Sequence, residues 1–459
     1  MRDPSRQAST TKAGHVGAPP AREEPLLLFA SCPRGLEEVL AKELDKLGVE
    51  GPTIAGAGVS FSGDIRLAMR VNLHSRIASR VLMQVGHARY RDEGAIYRLA
   101  RHTLWETWIN EYMSLRVDVS AQRSPLRSLN FVALRVKDAI CDRFRDASGV
   151  RPSVDTRQPD VRIFVFLTAS EATLYLDLSG ESLFKRGWRS EGDAKGLAPL
   201  KENLAAGLLA LAGWEPDMSL HDPYCGSGTL LIEAAQQALD IAPGIERHFA
   251  FERLARFDAR LLADLRQAAQ DQAARALEQY RRDPQRLRLS GADVDPQAVR
   301  RARDNLQRAG IPDGCVRLAI ADFGASNTKP AITNDPTPGL IVTNPPYGER
   351  MRAHHDAAAP TRPSGAYRPQ RRHPRAEPPQ ALPPPESESS VGTDPAHVES
   401  MRAAGQTLRR AFTGWRACLL SSDTELPRQL GMQPRRKTPL FNGAIECRLY
   451  CFEIFERRD

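Results

Sequence analysis

Between about residues 217 and 349, apolar runs of strand length alternate with amphipathic helical stretches, and no other feature limits the possible folds as tightly. DMSLHDPY runs into TLLIEAAQQAL, LRLSGADVD into PQAVRRARDNLQRAG, and VRLAIADF and GLIVTNPPYG complete the series. Strands separated by helices return in the same direction, because each helical crossover carries the chain back to the starting end of the sheet. The pattern predicts an α/β domain over residues 190–459, built on a doubly wound parallel sheet. Ligands of such sheets sit beyond the carboxyl ends of the strands, so the residues leaving each strand carry the functional information.

HDPYCGSGTLLIEAA places Asp222 at the end of the first strand, then Cys225, Gly226, Ser227 and Gly228, then a helix opening at Thr229. Glycines let the backbone approach a ligand closely, and a helix N-terminus offers free N–H groups and a positive dipole end. The loop is neither G-x-x-x-x-G-K-[ST] nor G-x-G-x-x-G and lacks a phosphate-binding lysine, which disfavours ATP or GTP. GADVDP ends the second strand. Asp293 there can accept hydrogen bonds from both ribose hydroxyls, while Asp295 is placed to cap the helix starting at Pro296. Asp322, in IADF, ends the third strand. Each acid taken singly fits a cap or a turn. Three after three successive strands, with the glycines, describe a cofactor site.

NPPYG then ends a fourth strand. A residue before proline is pushed to extended geometry, so Asn344 and Pro345 are both held there by Pro345 and Pro346. The Asn344 side-chain oxygen and the Pro345 carbonyl become two fixed acceptors. An exocyclic amine has two N–H donors, and pairing both draws its nitrogen toward tetrahedral geometry and frees its lone pair for attack. Tyr347 is placed to stack on the flat base that bears the amine. No metal or strong base is required if the electrophile is a sulfonium methyl.

The N-terminal half reads differently. MRDPSRQASTTKAGHVGAPPAREEP has no apolar core of a signal peptide, and residues 1–25 are expected to be a disordered tail. LLLFAS is strand-like; Pro33 opens a helix with Leu36, Val39, Leu40, Leu44 and Leu47 on one face, stopped by Gly48. A small α+β unit is expected over 26–72, and a second over 73–189, with a strand at 114–122, a helix at 131–144 and a hairpin at 161–180. Arg123, Arg127, Arg135 and Lys137 add basic character to the second. Residues 353–399, dense in Pro, Ala, Arg and Ser, are expected to be a disordered insertion inside the α/β domain. The net charge of +8 suits a polyanionic partner. The cysteines number seven, an odd count without C-x-x-C, so free thiols in a reducing cytoplasm are expected, with no zinc. No apolar run is long enough to span a bilayer, and no membrane partner is expected.

DPYCGSGT, GADVDP, IADF and NPPYG together resemble the class I S-adenosylmethionine-dependent methyltransferases that modify exocyclic base amines. FASCPRGLEEVLAKEL, LNFVALRVKDAICDRFR, RPSVDTRQPDVRIFVFL, LFKRGWR, APLKENLAAGLL, APGIERHFAFE and FNGAIECRLY resemble the THUMP-containing rRNA guanine-N2 methyltransferases. Within that family they are similar to the guanine-methylating half of the bifunctional bacterial 23S rRNA enzyme. The resemblance implies a ferredoxin-like/THUMP RNA-binding module followed by a Rossmann-like methyltransferase domain. It implies N2-methylguanosine as product, in 23S rRNA or an early large-subunit assembly intermediate. By motif, Asp222, Cys225, Gly226, Ser227 and Gly228 would line the methionine and ribose part of S-adenosylmethionine. Asp293 would hold the ribose and Asp322 the adenine amine. Asn344, Pro345, Pro346 and Tyr347 would hold the guanine. The second methyltransferase half has no counterpart here, so one product is expected. The family also contains tRNA methylators, NPPY serves adenine N6 as well as guanine N2, and a non-catalytic RNA-binding assembly factor stands as the alternative outside enzymes.

Overall fold

The computed structural model describes residues 25–189, 200–325, 339–346 and 395–455. The expected tail, most of the expected insertion, and Tyr347 lie outside these residues.

The described residues build two seven-stranded sheets. The first holds β1 (Leu26–Ser31), β2 (Thr53–Ile54), β3 (Gly58–Gly63), β4 (Arg80–Arg89), β5 (Leu115–Ala121), β6 (Val161–Leu167) and β7 (Glu171–Asp177), in the order β2-β3-β1-β4-β7-β6-β5. Helices α1 (Glu37–Lys46), α2 (Ile65–His74), α3 (Glu93–His102) and α4 (Leu129–Ser148) connect its strands. On β6 the burial alternates, Val161, Ile163, Val165 and Leu167 facing the core, which is the period of a strand with one covered face. Asp64, Asp92 and Ser128 cap α2, α3 and α4 by accepting a backbone N–H three residues on. The boundary expected between 72 and 73 falls inside α2, and β4 beyond it pairs with β1 on one side and β7 on the other, so both units share one sheet.

The second sheet follows α5 (Glu202–Ala212) and holds β8 (Leu220–Asp222), β9 (Leu289–Asp293), β10 (Val316–Ile320), β11 (Leu340–Thr343), β12 (Arg416–Ser421), β13 (Arg436–Asn442) and β14 (Ile445–Glu453). Its order is β10-β9-β8-β11-β12-β14-β13. The helices are α6 (Thr229–Ala238), α7 (Ala259–Arg282), α8 (Pro296–Arg308), α9 (Pro395–Ala411) and α10 (Leu426–Leu430). β8 to β12 run parallel, as expected; β14 returns antiparallel to β12 and pairs with β13, so the sheet is mixed. Residues 353–394 of the expected insertion lie outside the described residues, and its last five are helical. Pro395 to Glu399 already belong to α9, where proline suits a first helical position and His397 and Met401 bury one face. Among the described residues, no helix is long and apolar enough to cross a membrane. All seven cysteines are buried, and none of them is in a disulfide.

The two halves pack as one body. Leu36 at the head of α1 fills the space that a side chain on Gly207 of α5 would need. Glu233 of α6, fully buried, meets Arg186 at 3.2 Å and Arg76, from the loop after α2, at 3.6 Å. The Arg186 guanidinium also donates to the Arg76 carbonyl at 2.7 Å, and Arg76 donates to the Ile241 carbonyl at 2.6 Å. A carboxylate at this depth is tolerated only because two guanidiniums and their carbonyl partners surround it. Removing one partner of a buried ion pair strands the others without compensation. Glu233→Ala should therefore cost ~3–5 kcal/mol in urea denaturation, and a loss below ~1 kcal/mol would show that the cluster does not hold the two halves together.

Candidate active site

In the second sheet the chain steps outward from β8 to β9 and β10, then returns to the other side of β8 as β11. Strand order therefore reverses between β8 and β11, and a crevice opens where their following loops part in opposite directions. Asp222 ends β8 and Asn344 follows β11, one on each side of that crevice.

Asp222 is buried. Its Oδ1 accepts from the Thr343 hydroxyl at 2.6 Å and from the Tyr224 N–H at 3.3 Å. Burial, with Asp293 nearby adding to it, pushes the Asp222 carboxyl up to about 7, against the pull of these hydrogen bonds. His221, stacked on Phe412 and bonded to the Ser290 hydroxyl at 2.8 Å, is driven down to about 4 by burial and stays neutral under the site.

The turn after β8 is held by the neighbouring strand. The Cys225 N–H donates to the Ala292 carbonyl and the Gly226 N–H to Asp293 Oδ2, both at 2.9 Å. Gly226 and Gly228 adopt φ of +54° and +82°, which glycine reaches without strain. A Cβ on Gly226 would meet no atom within 4 Å, so this turn faces open space, whereas one on Gly228 would press on Ala302 of α8 at 3.2 Å. Ser227 is fixed through its carbonyl, which accepts from the Asn305 amide at 3.0 Å. Thr229 Oγ1, at the start of α6, accepts from Arg189, which also binds Glu202.

Asp293 ends β9, half-buried, with its Oδ1 accepting the Asp295 N–H at 3.0 Å. Asp295 caps α8 through the Gln297 N–H, as expected. Asp322 is exposed and stands two residues beyond the end of β10 at Ile320, its Oδ1 accepting from the Gly324 N–H at 2.9 Å. Its turn is anchored by buried Phe323, which packs on Tyr224 and His221.

Asn344 follows the fully buried strand β11, between Thr343 and Pro345. Its Oδ1 is buried and has no hydrogen-bond partner among the described residues. A buried acceptor left unpaired is costly and marks a place where a donor belongs. The structure thus brings Asp222, Cys225, Gly226, Ser227, Gly228 and Asp293 together, sets Asn344, Pro345 and Pro346 across the crevice, and keeps Asp322 at the rim of the neighbouring loop. Thr343, Arg189 and Phe323, which orient these residues, did not stand out in the sequence. Only a structure shows that Thr343 faces Asp222, 121 positions away.

The chain is similar to known proteins in sequence and fold. Residues 186–360 match the family described as RMKL-like, methyltransferase domain; residues 90–177 match the THUMP domain; residues 27–82 match the RlmL ferredoxin-like domain. A ribosomal RNA large subunit methyltransferase K/L from Methylococcus capsulatus is 39% identical over 436 residues, covering 94% of this chain and 51% of that protein. One of the same name from Syntrophotalea carbinolica is 36% identical over 455 residues, covering 95% and 55%. The chain spans about half the length of these curated relatives. The crystal structure of SMU.472 complexed with SAH aligns with a TM-score of 0.74 at 28% identity, covering 95% of this chain and 100% of that one. A predicted N6-adenine-specific DNA methylase from Listeria monocytogenes aligns with a TM-score of 0.74 at 26% identity, covering 94% and 97%.

The raised Asp222 carboxyl has a consequence for stability. Because its folded pKa lies above the unfolded value, the folded state binds the extra proton between about pH 4 and pH 7. Stability from this group is full below about pH 4 and falls as pH rises to about 7. An amide oxygen at this position could still accept from Thr343 without carrying charge. Asp222→Asn should therefore stabilise the ligand-free protein by ~2–4 kcal/mol at pH 8 and by almost nothing at pH 4. Thermal melts across pH check this; equal effects at both pH values would reject the shift.

Proposed function

The chain carries an RMKL-like, S-adenosylmethionine-dependent methyltransferase domain behind a THUMP domain and an RlmL ferredoxin-like domain, and from that premise we propose that it methylates the exocyclic N2 amine of a guanosine in 23S rRNA. The observation that carries the reading is the Asn344 Oδ1, buried and without a partner among the described residues, at the end of the strand that lies beside the one ending in Asp222. An acceptor held there, beside the Pro345 carbonyl, suits the two N–H donors of a base amine. The names of the curated relatives support ribosomal RNA as the substrate, and the THUMP domain supports RNA binding. The proposed place of action is the cytoplasm, on free rRNA or an early assembly intermediate.

The residues present fit the cofactor: an open glycine turn, a helix N-terminus behind it and a carboxylate ending each neighbouring strand. S-adenosylmethionine supplies, when bound, an electrophilic methyl group. Asp222 and the turn from Cys225 to Gly228 hold its methionine and ribose part. Asp293 accepts from the ribose hydroxyls with the lone pairs that Gly226 and Asp295 leave free, and Asp322 accepts from the adenine amine. Asn344 Oδ1 and the Pro345 carbonyl fix the target amine and point its lone pair into the crevice, Pro346 stiffens the turn, and Tyr347 stacks on the base. These acceptors are set before the substrate arrives, so the site spends no reorganisation on the attacking amine.

Adenine N6 is the second reading, favoured by the name of the Listeria relative and by an acceptor pair that serves either amine. Asn344→Ala should leave cofactor affinity within about twofold of wild type and lower kcat on rRNA by ~10²-fold or more, the scale of losing one oriented polar group. Single-turnover methyl transfer with cofactor titration measures both. Normal turnover in the variant would remove the amine-holding role.

A further inference from the structure

A second cavity lies between the two halves of the protein, at the same end of the methyltransferase sheet. The loop after β1 reaches β13 so closely that a Cβ on Gly35 would meet the Pro439 carbonyl oxygen at 2.5 Å. Between this loop, the start of α5 and the β13–β14 turn is a space of about 370 Å³, lined by Arg34, Ser79, Lys201, Asn203, Phe441 and Gly443 among others. Because β12 runs parallel to β11 and β14 antiparallel to β12, the β13–β14 turn stands at the strand end that carries Asn344. Arg189 ties Glu202, next to Lys201, to Thr229 at the head of the cofactor helix.

The lining has a consistent chemistry. Arg34 and Lys201 are exposed and make no ion pair among the described residues. Arg34 lies over the Phe441 ring at 5.3 Å and Lys201 over the Phe184 ring at 4.9 Å. Helix α5 starts at Glu202 with no side-chain bond from its N-cap residue; the Glu202 carboxylate accepts its own N–H and is paired by Arg189, and the remaining first-turn N–H groups add positive potential. Asn203 is buried at 1% exposure. Its Nδ2 donates to the Ser79 hydroxyl at 3.0 Å and to the Ile77 carbonyl at 3.3 Å, and its Oδ1 has no partner among the described residues. Two cations and a helix N-terminus call for an anion, the orphan oxygen calls for a donor, and the half-buried Phe441 ring offers a flat face.

We propose that this cavity holds one ribonucleotide of the RNA strand that flanks the methylated base. Its phosphate meets Arg34, Lys201 and the α5 N-terminus, its 2′-hydroxyl or base amine donates to Asn203 Oδ1, and its base lies near Phe441. The inference rests on the RNA methyltransferase reading and deepens it by locating a part of the RNA path. It gives the interface between the halves a direct role: the N-terminal unit supplies Arg34 and the methyltransferase domain supplies Lys201, so neither half completes the subsite alone.

The test compares the full chain with the Arg34→Ala/Lys201→Ala double variant on transcribed 23S rRNA. Both residues are exposed, so unchanged melting confirms folding. The expected result is a roughly tenfold higher KM with kcat and S-adenosylmethionine affinity unchanged, and a slope of log affinity against log salt shallower by ~0.7, from one phosphate no longer neutralised. Photo-cross-linking of 4-thiouridine transcript should map to peptides containing residues 32–34 or 441–443. An unchanged KM and salt slope would overturn the subsite, as would weakened cofactor affinity, which would assign the cavity to the cofactor. A wild type that binds the transcript and transfers no methyl would overturn the methyltransferase reading instead, and the affinity and salt comparison would still decide the subsite.

Discussion

The Thr343 hydroxyl reaches 2.6 Å to Asp222, and the working end of the protein depends on that contact. It joins the strand that leads to the glycine turn with the strand that leads to Asn344, Pro345 and Pro346, across the point where strand order reverses. A second tie, Gly226 to Asp293, fixes the next strand end to the same turn. Together they set three carboxyl ends at one level. The local arrangement carries a cost, since burial holds the Asp222 carboxyl near neutrality rather than in the usual carboxylate range. Such tension is expected where a polar group is kept ready for a ligand rather than satisfied by the protein.

The N-terminal half, which matches the ferredoxin-like and THUMP domains, is fastened to this site rather than tethered near it. Glu233 lies on the helix that starts at the glycine turn, and it holds Arg76 from the N-terminal unit and Arg186 from the connecting segment. Arg189, three residues on, grips the first residue of the same helix. A rigid seam of this kind suits the proposed function, in which one nucleotide of a long polymer must be found. The distance from the N-terminal half to the Asn344 turn is then set by the fold. The ~370 Å³ cavity lies on that seam.

Much of this was legible in the sequence because the informative signals are local. Strand ends followed by D-P-Y-C-G-S-G-T, G-A-D-V-D-P and N-P-P-Y are spelled out in consecutive residues, and the strand–helix rhythm orders them. The signals that were missed are of other kinds. Helix α7 buries only Leu262, Leu265 and Ala269 in its first half, so its second half shows no apolar stripe. Strand β13 contains Pro439 and charged residues and reads as loop, yet it is an edge strand, where proline is tolerated. The Thr343–Asp222 and Glu233–Arg76 contacts join residues more than a hundred positions apart. No local pattern encodes such pairs. The antiparallel return of β14 was hidden for a related reason: it follows from β13, which enters after α10 and turns back directly into β14, and with β13 unread the chain from β12 through α10 to β14 looks like one more parallel crossover.

The measurement that bears most directly on the central claim is nucleoside mass spectrometry of RNA incubated with the protein and labelled S-adenosylmethionine. The RNA should come from a strain lacking the gene, with ribosomal and transfer RNA separated. The account predicts labelled N2-methylguanosine in large-subunit rRNA. Labelled N6-methyladenosine, label confined to tRNA, or RNA binding without any transfer would each contradict it.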